Sequence, residues 1–140
     1  MATTTNAQHA SAAFNGEHFS SLITHAGILL GLTNTEIKNK YRDFPVTLST
    51  LYEDGEETDA VEVLFEEENG LLTCMFNTKD KRCDYVIISF NEPVNPDDCI
   101  GYLNNHYPYD FLNQSWNLPN GRACVKHSVE GICVGIHRLF

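Results

Sequence analysis

Cations are scarce in this sequence, and paired cysteine motifs, long apolar runs and catalytic signatures are missing from it. Nine Lys and Arg stand against nineteen Asp and Glu, a formal charge of −10. Binding nucleic acid takes clustered cations that displace counterions from phosphate, so no nucleic-acid partner is expected. No apolar run approaches the ~20 residues that cross a bilayer, and no membrane span is expected. HExxH, GxSxG, Walker-type and phosphate-cradling glycine motifs do not occur. The five cysteines, Cys74, Cys83, Cys99, Cys124 and Cys133, form no CxxC and come no closer than nine positions. Zinc sites favour shorter paired spacings, so neither a metal nor any other cofactor is expected.

Compartment follows from the same absences. Met1–Asn15 is small and polar, without the cationic and apolar regions of a signal peptide. With an odd cysteine count, that favours free thiols in a reducing, cytoplasmic setting. A secreted or periplasmic setting is the expectation if the sequence starts at a mature end.

What is present reads as a globular chain, 42% hydrophobic and 20% charged over 140 residues. That length supports one hydrophobic core without staples. We expect a flexible arm over 1–15 and a single α+β domain over 16–140. Phe19, Leu22, Ile23, Ala26, Leu29 and Leu30 recur at helical spacing and predict a helix over 17–30, stopped by Gly31. Thr33 and Glu36 have capping-box spacing and predict a second short helix, which with the first forms a helical hairpin on one face of a sheet. Val46–Tyr52 and Cys83–Phe90 read as strands, the latter apolar on both sides and therefore central or covered. Pro96, preceded by Asn95 and followed by two aspartates, predicts a helix before the last ribbon.

Two turns set the ribbons. Asn69-Gly70 signals a two-residue hairpin loop, which would place Phe65 opposite Cys74 and Val63 opposite Phe76. Its core face then carries Val61, Val63, Phe65, Leu72, Cys74 and Phe76. A Glu130-Gly131 loop would pair Val125 with Ile136 and Cys124 with His137. The sum is an antiparallel sheet of five or six strands.

Candidate chemistry is thin. Cys124 and His137 are the best nucleophilic pair that register offers, but no helix N-terminus or glycine-rich turn lies beside the sulfur. His18 and His25 would share a helix face two turns apart, too far for one metal. Glu53, Asp54, Glu56 and Glu57 form an acidic loop, whose default reading is a solvated run. Tyr102, Tyr107, Tyr109, Phe111 and Trp116 fall within one short segment, interleaved with Asn and Asp. Such clusters either cap a sheet or enrich a protein contact surface.

Gly31-Leu32-Thr33-x-x-Glu36-Ile37-x-x-Lys40-Tyr41 resembles the opening of small modules with two helices and an antiparallel sheet. These are of the β-lactamase-inhibitor-protein and outer-membrane-assembly small-lipoprotein type. The run from Met75-Phe76-Asn77 through Leu103-Asn104 to Trp116 is similar in cadence to uncharacterised small bacterial α+β proteins. The chain differs from the modules in lacking an N-terminal lipobox cysteine and in placing the Pro96 helix before the last hairpin. The resemblance implies a protein-binding or assembly role and supplies no catalytic residues. The expectation is a non-catalytic module of inhibitor, immunity or adaptor type, its acidic and aromatic residues meeting a basic protein partner. The alternatives are an acidic secretion-chaperone-like homodimer, a small-molecule carrier and a Cys/His-dependent enzyme.

Overall fold

The computed structural model describes residues 14–53, 56–128 and 131–139, the side chains at 49–58 and 128 excepted. Among them are three α-helices and eight strands. Helix α1 spans Gly16–Leu29. Asn15, which composition groups with the arm, is its N-cap, accepting from the His18 N–H at 3.0 Å. The remainder of the proposed arm, 1–13, lies outside the described residues. Phe19, Leu22, Ile23, Ala26 and Leu29 are the buried stripe of α1. Gly31, at φ +87°, turns the chain out of the helix, and its N–H donates to the Cys83 carbonyl at 2.7 Å. Helix α2, Asn34–Lys40, starts on the capping box: Glu36 N–H donates to Thr33 Oγ1 and Thr33 N–H to Glu36 Oε1. Helix α3 spans Pro96–His106, capped by Asn95.

The strands are β1 (Val46–Glu53), β2 (Glu56–Phe65), β3 (Gly70–Phe76), β4 (Cys83–Phe90), β5 (Tyr109–Asp110), β6 (Ser115–Asn117), β7 (Gly121–Ser128) and β8 (Gly131–Arg138). They form one antiparallel sheet in the order β1-β2-β3-β4-β8-β7-β6-β5. The architecture is two four-stranded meanders joined edge to edge where β4 meets β8. Five or six strands were too few. The additions, β5 and β6, are two and three residues long, too short for a period-2 pattern to show. The helical hairpin also needs correction. The closest neighbours of α1 are β4, β3 and the turn between β2 and β3, not α2. One apolar cluster forms the core, with Leu22, Leu29, Val63, Leu72, Val86, Ile88 and Leu103 fully buried.

Both ribbon registers differ from expectation, and both differ by an even number. A 3₁₀ turn, Glu66–Glu68, and Asn69 at φ +60° close the first ribbon. Phe65 therefore faces Gly70 and Val63 faces Leu72. In the second, Ser128 faces Gly131 and Val125 faces Val134; the loop residues Val129 and Glu130 lie outside the described residues. An even shift keeps every side chain on its face, so Val61, Val63, Phe65, Leu72 and Cys74 are buried on the helix side as their alternation requires.

Candidate functional site

The aromatic segment resolves into a hairpin on the edge of the sheet. After α3, Tyr109 pairs with Trp116 and Asp110 with Ser115, leaving 111–114 as the loop. Asp110 organises it. Its Oδ1 accepts from the N–H groups of Leu112 (3.0 Å) and Asn113 (3.2 Å), and its Oδ2 from Asn113 Nδ2 (2.6 Å). This is an Asx-type turn. The bonds from Asn113 hold the Asp110 carboxyl below the usual carboxylate range. Gln114 completes the turn at φ +51°.

That turn holds two large apolar side chains in water: Phe111 is 84% exposed and Leu112 97%. Tyr109 stands behind them, its ring edge-on to Phe111 and to Trp116, both at 4.9 Å between centroids. Trp116 belongs to the core and donates its Nε1–H to Asn104 Oδ1 at 2.9 Å. Tyr102 is half-buried, packed on Phe19 and stacked on His106. Tyr107 is half-buried, and burial pushes its phenol up. Of the five candidate aromatics, then, Tyr109 and Phe111 are exposed, Trp116 backs Tyr109, and Tyr102 and Tyr107 pack elsewhere, around His106. Leu112 belongs with the exposed pair. The signal for it was Asp110-x-x-Asn113, which predicts a turn at the two apolar residues between.

The acidic candidates lie elsewhere. Glu53 pairs with Glu56 at the tip of the β1–β2 ribbon; Asp54, and the side chains of Glu53, Glu56 and Glu57, lie outside the described residues. The strands that carry Glu53 and Tyr109, β1 and β5, are opposite edges of the sheet. A different acidic group, Glu66, Glu67, Glu68 and Glu92, borders a cleft of ≈ 220 Å³ beside His18 and Phe19. Among the described residues, no three His, Cys, Asp or Glu side chains converge as metal ligands do.

Cys124 does not face His137. Its partner is Gly135, and that of His137 is Arg122, which makes Cys124 and His137 diagonal neighbours, typically about 7–8 Å apart. The thiol instead reaches the Gln114 carbonyl at 3.9 Å. Both residues nonetheless line one cleft of ≈ 520 Å³ on the helix-free face, with Ser115, Arg122 and Leu139. His137 is stacked on Tyr85 at 4.2 Å. Burial, then the nearby Lys126 ammonium, holds it below the ordinary histidine value, against a smaller opposing pull from Asp84. All five cysteines are free thiols. Cys74, Cys83 and Cys99 are buried, and burial followed by Asp98 pushes Cys99 up to about 12. In comparisons with known proteins, the chain matches no family model, no curated protein and no solved structure.

Proposed function

We propose that this protein is a non-catalytic binding module, of inhibitor, immunity or adaptor type, that engages its partner with the β5–β6 turn. One observation carries the reading: Phe111 and Leu112 are held in water by an ordered turn. Loose apolar side chains on a surface are ordinary, but adjacent ones on a braced turn have their ordering entropy already met before any partner arrives. Aromatic anchors of this kind dominate protein interfaces, where truncating one costs about 1–2 kcal/mol or more. The net charge of −10 favours a basic partner and faster encounter with it.

The test is affinity capture from the source cell's proteins with the wild-type chain and a Phe111→Asp/Leu112→Asp variant, at low and at physiological salt. The expected result is a basic protein held by the wild type, weakened by salt and lost from the variant. Identical capture by both chains sinks the reading. Light scattering across concentrations separates it from a homodimer joined at the same turn.

A further inference from the structure

We propose that the cleft over β6, β7 and β8 binds a small carboxylate bearing a short apolar substituent, with Arg122 as its ion-pair partner and Ser115 as a second donor. Two cross-strand rows on the helix-free face contribute Arg122, His137 and Cys124 to the cleft. One row runs Asn117, Arg122, His137, Tyr85; the other runs Cys124, Gly135, Ile87. Continuing the β6–β7 ladder by one pair on that face brings Ser115 beside Cys124. The five residues Ser115, Arg122, Cys124, His137 and Leu139 thus come from three strands and the chain just beyond β8, and line the same space.

Two independent observations mark this space as a site. Ser115 is 1% exposed and its Oγ has no hydrogen-bond partner; a buried hydroxyl left unpaired is costly and calls for an explanation. Arg122 forms no ion pair or hydrogen bond among the described residues, in a chain where acids outnumber bases by nineteen to nine. Asp110 feels its charge, yet no contact joins them. The other arginine on the rim, Arg138, is already bound to Asp80 at 3.2 Å.

Charge and shape choose the ligand. One planar guanidinium matches one planar carboxylate through paired N–H bonds. A phosphate dianion would need further cations, Arg138 being held by Asp80, and the nearby Asp110 carboxylate repels a dianion about twice as strongly as a monoanion. His137 adds a polar ring that carries little charge near neutral pH. Leu139, 48% exposed, supplies an apolar wall, and ≈ 520 Å³ is ample for a small molecule.

Cys124 makes the site testable. In alkylation by iodoacetate the thiolate sulfur displaces iodide: the S–C bond forms as C–I breaks, and the thiol proton goes to solvent. Cys133, half-buried on the same face, outside the cleft and opposite Lys126, is the internal control for the general pull of a nearby cation. Docking of the reagent's carboxylate on Arg122 should raise the iodoacetate-to-iodoacetamide rate ratio at Cys124 about tenfold over that at Cys133. Propionate in the millimolar range should abolish the excess, and propionamide should not. Arg122→Gln should equalise the two thiols and Ser115→Ala should diminish the excess, each checked for native circular dichroism. Protection by acetylated dialanine as strong as that by propionate would assign the carboxylate to a peptide terminus; weaker protection would assign it to a free acid. Equal ratios at both thiols in the unaltered chain overturn the proposal, as does protection by phosphate without protection by propionate. Neither outcome depends on whether the variants fold, or on the partner of the Phe111 turn.

Discussion

Two hairpin loops of this molecule share a length and a closing left-handed residue and differ in their side chains and their anchoring. Residues 66–69 join Phe65 to Gly70, and 111–114 join Asp110 to Ser115. Each ends in a left-handed residue, Asn69 at φ +60° and Gln114 at φ +51°. The first loop carries three glutamates and is docked. Asn69 donates from Nδ2 to the Glu92 carbonyl (2.9 Å) and accepts the Glu92 N–H at Oδ1 (2.7 Å). The second loop carries Phe111 and Leu112, braced from within the hairpin by Asp110 and touched from the body only by the long Cys124 thiol contact to the Gln114 carbonyl, among the described residues. A charged loop fastened to the body and an apolar loop left projecting reverse the usual assignment of surface chemistry. The first loop therefore contributes to stability, and the second carries the apolar surface that we propose meets a partner.

The largest effect should appear just beneath the projecting loop. Trp116→Ala removes a core indole and its bond to Asn104, and should cost about 3–5 kcal/mol in urea unfolding. Phe111→Ala, five residues away, should stay within about 0.5 kcal/mol. Comparable losses at both positions would mean that Phe111 is packed in solution and the comparison fails. The next effect reverses sign between loops. Asn69→Gly keeps the left-handed backbone but loses both bonds to Glu92, a cost of about 2 kcal/mol. Gln114→Gly relieves a left-handed residue that has no such bonds, and should gain about 0.5 kcal/mol. Exchange of the Leu112 and Asn113 amides probes the remaining brace: Asp110→Ala should quicken it about tenfold, without changing the exchange of amides in β3.

The same loops show which features the sequence makes legible. Asn69 does adopt positive φ, as Asn-Gly predicts. Gly70 does not; it is the first residue of β3, and a Cβ there would lie 2.5 Å from Leu22 Cδ2. A close approach by α1, invisible to local turn rules, explains that glycine. The faces were readable because strand alternation survives an even slip, whereas the registers were not, because loop length fixes them. Helix caps at Thr33 and Asn95 were readable because their bonds are local. The candidate sites fared worse for the converse reason. Setting Arg122 beside His137, and Ser115 beside Cys124, takes pairings across three strands. The separation of Glu53 from Phe111 takes the order of all eight.

The smallest expected effect tests how the docked loop differs electrostatically from the projecting one. His25 sits under the glutamate loop, sharing a 2.9 Å hydrogen bond with Tyr41 and lying 4.7 Å from the Phe65 ring centroid. Burial holds its pKa below the ordinary 6.5, and the Glu68 carboxylate pushes the other way. A histidine depressed in the folded state binds protons more readily once unfolded. Its contribution is thus intact above pH 6.5 and is lost as pH falls through that value toward the folded pKa. Glu68→Gln removes the opposing push, so the His25 imidazole signals should titrate at lower pH, and acid should destabilise the variant more steeply than the wild type. Phe111→Ser/Leu112→Ser should leave that titration where it was. An unchanged His25 titration in Glu68→Gln would show that the glutamate loop is too well solvated to reach its neighbour, and that its fastening rests on Asn69 alone.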